Sequence, residues 1–372
     1  MRHKDKPTPI EHARKILGIP KNIHDIVMQQ TSSFRNFSPT YILNHYKITE
    51  DSDMVVGFHG GDVSISKNKE LFEKRQLAEH RITITAMIME KLKEKYPELV
   101  KDLNLLVPMC IGDMSDNKLQ HIPCLAYSKN SFSNAILIPN LQESFEYQNK
   151  EDKAVYTHDR PLMHKQNKMC FVGSFTNVYW NNHGMQHNQR LQMAWMAMQA
   201  PDLWECTIVK PPKYDDAEWE SVVKQVDSHF PGLTQSKFFN TGEREPVDIE
   251  TQLKNKFQIC VDGHTCAWGR FPWQMLSNSV IFKIRNPQDD FMEWYYPLLQ
   301  NGKHFLEVDT HNLIEAFQYM IHEPEHQIEI NDNATDFASN YFFNEDLSQR
   351  VLLYTLLILN QKQTLVVDNN GD

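Results

Sequence analysis

A chain of 372 residues, 41% hydrophobic and 23% charged, can bury the cores of one large or two medium α/β domains. Its 48 acidic against 38 basic residues leave a net charge of −10, which opposes an electrostatic hold on nucleic acid or on an anionic membrane surface. Its longest apolar stretches, such as 351–359, stop well short of the roughly 20 residues that cross a bilayer, so no membrane span is expected.

The chain opens with Met1-Arg2-His3-Lys4-Asp5-Lys6, charged and without an apolar segment behind it; no secretory leader and a cytoplasmic location are the expectation. After weakly patterned polar sequence, apolar runs at 54–58 and 63–65 flank His59-Gly60-Gly61-Asp62, which predicts a hairpin. A long helix is predicted over 70–95, with Ile84, Ile88 and Leu92 on one stripe and Pro97 just past its end. Runs at 105–111 and 136–138 read as buried strands. The polar stretch 142–166 is the expected interdomain crossing. Beyond it, predicted strands at 169–172, 206–209, 257–261, 280–284 and 305–308 alternate with helices at 188–198, 248–256, 272–276 and 312–321, the signature of parallel βαβ units. Asp309 or Thr310 is the expected N-cap of the last of these. Leu347, Val351, Tyr354 and Ile358 then follow helical spacing behind the capping residue Asn344. The domains expected are 1–165, 166–335 and a C-terminal helix within 336–372. Six cysteines stand singly, with no CxxC pair, and read as buried thiols.

Open α/β sheets bind ligands where strand ends meet glycine-containing turns, and two predicted strands end this way. One gives Val261-Asp262-Gly263-His264-Thr265-Cys266-Ala267-Trp268-Gly269-Arg270, where small residues admit a phosphate and Arg270 supplies charge. The other gives Phe171-Val172-Gly173-Ser174-Phe175-Thr176, with Arg190 opening the next helix. Together they suggest a nucleotide diphosphate site, although each alone also fits an ordinary strand-to-helix turn with a surface arginine. In the first half, Ile111-Gly112-Asp113-Met114-Ser115-Asp116 sets two carboxylates beyond an apolar strand, as a general base on an acceptor hydroxyl would need and as an Asp-rich turn would also produce. Other motifs fit less well. Asp51-Ser52-Asp53 precedes its strand instead of following one, and His183 and His187 lack the glutamate of a zinc helix. GxSxG, P-loop and GxGxxG patterns are absent from the sequence.

The stretch 256–309 resembles glycosyltransferase family 90, which includes protein O-glucosyltransferases, fungal capsular xylosyltransferases and bacterial lipopolysaccharide glycosyltransferases. The likeness lies in Lys256, Phe257, Ile259, Asp262 and Gly263, in the small and aromatic run to Arg270, and in Ser279, Val280 and Phe282. It continues through Glu293-Trp294-Tyr295-Tyr296-Pro297-Leu298-Leu299 and His304-Phe305. Weaker echoes at Tyr127-Ser128-Lys129 and Phe171-Val172-Gly173-Ser174 extend it over 105–360.

The resemblance implies a GT-B arrangement, with two Rossmann-like domains facing across a cleft and the C-terminal helix returning to the N-terminal half. It implies an inverting, metal-independent enzyme without a cofactor, which moves glucose or xylose from UDP-glucose or UDP-xylose to a hydroxyl of a glycan, a lipopolysaccharide or capsule-type acceptor, or a protein. Gly263, Thr265, Ala267 and Arg270 match the donor loop, with Arg270 on the diphosphate and Trp268, Trp273, Trp294 and Tyr295 as candidates to stack on uracil or sugar. Gly173 and Ser174 match a second donor loop. Asp113 falls at the catalytic base, with Asp116 as its alternative, and Glu293 is a further possible site residue. The family's arginine beside the Gly-Ser pair is missing here, where Val172 and Phe175 stand, so Arg190 or Lys129 would share the phosphate charge. The run from Gly263 to Arg270 is one residue longer than usual. A bacterial or viral origin fits better than the secretory pathway. Two other classes remain: a sugar- or nucleotide-binding protein that kept the fold and lost catalysis, and a metal-dependent hydrolase using some of the 17 histidines.

Overall fold

The computed structural model describes residues 8–34, 54–67, 76–110, 123–140, 151–176, 184–211, 214–242, 247–286 and 291–363. The chain is α/β and forms two compact units: Met1–Ser144 with Phe291–Leu298 and Asn344–Asp372, and Phe145–Asp290 with Leu299–Phe343.

The first unit begins with helices α1 (Pro9–Ile16) and α2 (Lys21–Thr31). The predicted hairpin follows as β1 (Met54–His59) and β2 (Asp62–Lys67), paired antiparallel. Its turn needs glycine on conformational grounds, with φ of 56° at Gly60 and 89° at Gly61. Helix α3 (Gln76–Lys95) leads to β3 (Asn104–Cys110), then to the two-residue strands β4 (Leu125–Ala126), β5 (Ser128–Lys129) and β6 (Ile136–Leu137). The sheet is mixed, ordered β2-β1-β3-β4-β6, antiparallel at the hairpin side and parallel from β3 to β6.

The C-terminal helix Glu345–Lys362 belongs to this unit and packs on α1, α2, α3 and β3. Asn344 caps it through the Leu347 amide, as expected, and Leu347, Val351, Tyr354 and Ile358 are all buried. Its far end completes the sheet. Pairing of β3 with β4 begins only at Met109, and the β3 amides of Asn104 and Leu106 donate instead to Asn360 Oδ1 (2.8 Å) and Gln363 Oε1 (3.0 Å).

The second unit holds α4 (Glu151–His158), β7 (Gln166–Ser174), α5 (Gln189–Gln199), β8 (Trp204–Val209), α6 (Asp216–His229) and β9 (Phe239–Asn240). It continues with α7 (Ile249–Leu253), β10 (Asn255–Cys260), α8 (Arg270–Leu276), β11 (Val280–Ile284), β12 (Leu306–Val308), α9 (Leu313–Ile321) and α10 (Pro324–Phe337). All six strands are parallel in the order β12-β11-β10-β7-β8-β9. Counted along the chain, this is the 3-2-1-4-5-6 order of a Rossmann sheet. Every residue of β10 and β11 is buried, the apolar Phe257, Ile259, Val280, Ile281, Phe282 and Ile284 among them, and the buried polar side chains of Gln258 and Lys283 bond Gln252 O and Asp262 Oδ1. Phe257 stacks on Phe282 of the neighbouring strand (5.5 Å) and meets Phe317 of α9 edge-on (5.1 Å). Each such buried phenylalanine contributes on the order of 1.5–3 kcal/mol.

Two details differ from the sequence reading. The polar stretch 142–166 contains α4, which packs on α7 and α8 of the second unit. The chain after α4 is pinned there by polar contacts: Lys165 donates to Ser279 Oγ (2.8 Å) and pairs with Asp159, whose other oxygen accepts the Asn278 amide (2.6 Å). Helix α9 has Asn312 at its N-cap, and Asp309 bonds the amides of His311 and Asn312 within the preceding turn. Among the described residues, no helix is long and apolar enough to cross a membrane.

Candidate functional site

In a sheet of this order the ligand crevice lies outside the carboxyl ends of the first and fourth strands, where the direction of winding reverses. Those strands are β7 and β10, and they are the two that end in the loops singled out from sequence. The structure brings Gly173, Ser174, Arg190, Gly263 and Arg270 together there, joined through one side chain. Arg190, the second residue of α5, reaches both loops: Nη1 donates to Ser174 O (2.8 Å) and Thr176 Oγ1 (2.6 Å), Nη2 to Val261 O (3.2 Å), and Nε to Asp262 O (3.2 Å).

Phe171 lies beneath this arrangement, with the Arg190 guanidinium 5.7 Å and the Arg270 guanidinium 5.2 Å from its ring centroid. The ring explains Gly173. A Cβ at that position would stand 2.8 Å from Phe171 Cζ, and φ of Gly173 is outside the left-handed region, so glycine is required by space alone. Gly263 follows the same logic, since its Cβ would lie 3.0 Å from Arg190 Nη2 and 3.2 Å from Thr176 Oγ1. Both glycines were read from sequence as openings for a phosphate; in the structure their side-chain space belongs to Phe171, Thr176 and Arg190.

The loop after β10 is shaped by Asp262. Its Oδ1 accepts the Ala267 amide (3.1 Å) and Lys283 Nζ (2.6 Å), both partners being buried. Burial pulls the Lys283 pKa down, but the adjacent Asp262 carboxylate outweighs it and the net shift is upward. Burial, then the nearby Arg270, push Arg190 down to about 9, opposed by Asp262. Burial also lifts the Cys260 thiol to about 12, consistent with an inert core cysteine. Thr265 and Ala267 are buried in the loop, while Trp268 and Arg270 are partly exposed.

The remaining candidates lie elsewhere or outside the described residues. Asp113 and Asp116 fall within 111–122, Asp51 and Asp53 within 35–53 and His183 within 177–183, all outside the described residues. Lys129 and Glu293 belong to the first unit, where the strand Met292–Glu293 pairs antiparallel with β5. Lys129 Nζ donates to Ala135 O (2.8 Å), and burial lowers its pKa. Trp273, Trp294 and Tyr295 are buried side chains; Trp294 meets Tyr295 edge-on at 6.1 Å, and Tyr295 stacks on Tyr296 at 5.1 Å. The sequence reading gave no role to Phe171, Thr176 and Asp262, which stand inside the motifs it quoted, and passed over Lys283. Lys283 carried a usable signal, because a lysine inside the apolar run Val280-Ile281-Phe282-Lys283-Ile284 needs a buried counter-ion. Among the described residues, no cluster of His, Cys, Asp and Glu could hold a metal ion.

A parallel sheet in this order, with two loops meeting at its switch point, defines a unit of the doubly wound, Rossmann-like α/β class. The chain belongs to glycosyl transferase family 90, whose model matches residues 50–367. No curated protein matches it significantly. Among solved structures it is similar to Anabaena Alr3699/HepE in complex with UDP and glucose, at 14% identity over 51% of this chain and 48% of that one, with a TM-score of 0.34. It is also similar to the C-terminal domain of a glycosyl transferase group 1 family protein (LpcC) from Francisella tularensis, at 11% identity over 52% of this chain and 93% of that one, TM-score 0.32. A putative UDP-N-acetylglucosamine 2-epimerase from Listeria monocytogenes matches at 12% identity over 51% and 48%, TM-score 0.31. The chain spans about half the length of the first of these.

Proposed function

We propose that this chain is a glycosyltransferase that uses a UDP-sugar, of glucose or xylose, and passes the sugar to a hydroxyl of a glycan or protein acceptor with inversion and without a metal ion. The observation that carries the reading is the pair of loops at the β7/β10 switch point, held together by Arg190 with Arg270 over the same phenylalanine ring. Arg190, Arg270 and Lys283 bring three positive charges to this end of the sheet, against the Asp262 carboxylate that pairs with Lys283. The two guanidiniums disfavour each other, and a diphosphate bound beside Arg270 would offset that repulsion.

On this reading Asp113, or Asp116 in its place, accepts the acceptor hydroxyl proton as that oxygen bonds to the anomeric carbon. The bond from that carbon to the diphosphate oxygen breaks, and UDP leaves with the electron pair. Arg270 and loop amides stabilise the charge that grows on the leaving diphosphate, the work a metal ion does in other transferases. Trp268, the partly exposed tryptophan of the loop, is the stacking candidate for the donor.

The test is a panel of UDP-sugars followed by UDP release in EDTA. One donor is expected to turn over with chelator present, Asp113→Asn to lose at least about a hundred-fold in kcat, and Arg270→Ala to lose activity together with UDP affinity. Donor binding without turnover, unchanged in Asp113→Asn, would replace catalysis with binding alone. Activity abolished by EDTA would remove the metal-independent mechanism.

A further inference from the structure

We infer that Arg190 is a positioning residue, not a ligand of the donor: it fastens the loop after β7 to the loop after β10 and thereby fixes where Arg270 stands. The inference deepens the donor-site reading above and, for its functional arm, rests on it.

The argument is one of donor accounting. A guanidinium has five N–H groups in a fixed planar fork. Four of those of Arg190 are directed at protein oxygens, two from the β7 side (Ser174 O, Thr176 Oγ1) and two from the β10 side (Val261 O, Asp262 O). The fifth, on Nη2, belongs to the nitrogen that lies 3.0 Å from where a Gly263 Cβ would be, so a side chain there would collide with the fork. Arg190 is buried, its acceptors are three main-chain carbonyls and a hydroxyl, and its carbon stem starts from a helix capped by Asn188. A residue placed to grip a mobile substrate would keep its fork open to it; this one is closed on the protein. The same ring of Phe171 lies under Arg190 and Arg270, so the clamp and the partly exposed arginine share one support.

The loops it joins have amides whose protection reports the clamp directly. Phe175 N donates to Val209 O (2.9 Å), Thr176 N to Ser174 O (2.8 Å), Gly263 N to Thr265 O (2.9 Å) and Ala267 N to Asp262 Oδ1 (3.1 Å). The experiment is hydrogen exchange on the full chain, alongside calorimetric binding of UDP, for wild type, Arg190→Lys, Arg190→Gln and the milder, near-isosteric Thr176→Val.

Lysine keeps the charge and loses the fork. The expected result is faster exchange at 174–176 and 263–267 in both Arg190 variants, by about ten-fold or more, with β8 unchanged. UDP affinity should fall by about ten-fold or more and to the same extent in both, because a clamp is not replaced by charge. Thr176→Val should loosen the same amides by a smaller factor. If Arg190→Lys retains the UDP affinity that Arg190→Gln loses, Arg190 is a phosphate ligand and the inference is overturned. Unchanged exchange in the loops of either Arg190→Lys or Thr176→Val overturns it as well, so it is decided even where the first variant does not fold. Failure of wild type to bind UDP would remove the donor reading and leave the exchange arm to decide the clamp.

Discussion

Gly173→Ala offers the sharpest test of how this site is built. The added Cβ would sit 2.8 Å from Phe171 Cζ and 3.4 Å from Cε1 and Cε2. Carbon atoms reach optimal contact at about 3.5–4.0 Å, so the ring tip must retreat by roughly 0.7–1.2 Å. Phe171 is only 1% exposed and belongs to the main core cluster of the second unit, so retreat means overpacking, at about 1–3 kcal/mol. Because φ of Gly173 is not positive, alanine brings no conformational penalty and even a modest entropic gain, and any loss is steric. For a unit of this size that corresponds to a fall in Tm of about 2–12 °C, readable by scanning calorimetry. A double-mutant cycle isolates the contact. Phe171→Leu removes the ring atoms that alanine would strike, so Gly173→Ala in that background should cost less than it does alone. Additivity of the two substitutions within about 0.5 kcal/mol would refute the steric account, because residues that share a clash must couple. The Arg190 and Arg270 guanidiniums lie over the ring being displaced, so donor turnover should fall more steeply than stability alone explains.

Asp262→Asn should destabilise the second unit by about 3–5 kcal/mol in urea unfolding, because it strands the Lys283 ammonium in a nearly dry site; adding Lys283→Met should recover part of that loss. His24 and His304 both have pKa values lowered chiefly by burial, so their folded forms bind protons less readily than the unfolded chain does. Their stabilising contribution is complete above pH 6.5 and is lost as pH falls below it, so Tm should drop between pH 7.5 and 5.5, with a shallower drop in His24→Gln. A pH-independent Tm over that range would contradict it. All six cysteines are buried and outside any disulfide, so a thiol reagent should label the protein only after denaturation, and rapid labelling of the native chain would contradict this core packing.

How far the sequence foretold all this depended on the range of the interactions. The strands of the second unit were legible because a parallel strand covered on both faces is predominantly apolar, as Phe257 to Cys260 and Val280 to Ile284 are apart from Gln258 and Lys283. The hairpin turn at Gly60 and Gly61 was legible because local conformation demanded glycine. Contacts between distant residues left little trace. Strand Met292–Glu293 pairs with β5 although strands β7 to β11 intervene along the chain, and two residues of pairing write no periodicity. Helix α4 hid in a polar stretch because its docking on α7 and α8 rests on few apolar side chains.

The site shows the same division. Glycine at 173 and 263 marked the correct loops, but for a reason that runs through partners the linear pattern does not pair with them: Phe171 two residues back, and Arg190 some seventy residues before Gly263. A glycine that leaves room for a ligand and a glycine that leaves room for its own protein look identical in sequence. They separate once coordinates show what fills the missing Cβ. At both positions the occupant is protein, and it includes the side chains on which the two arginines rest or through which the loops are bound. The small residues at this switch point therefore act on any anion indirectly, by letting a dense cation-bearing framework assemble, and a substitution at either glycine should be felt first in that framework's packing and then in what it binds.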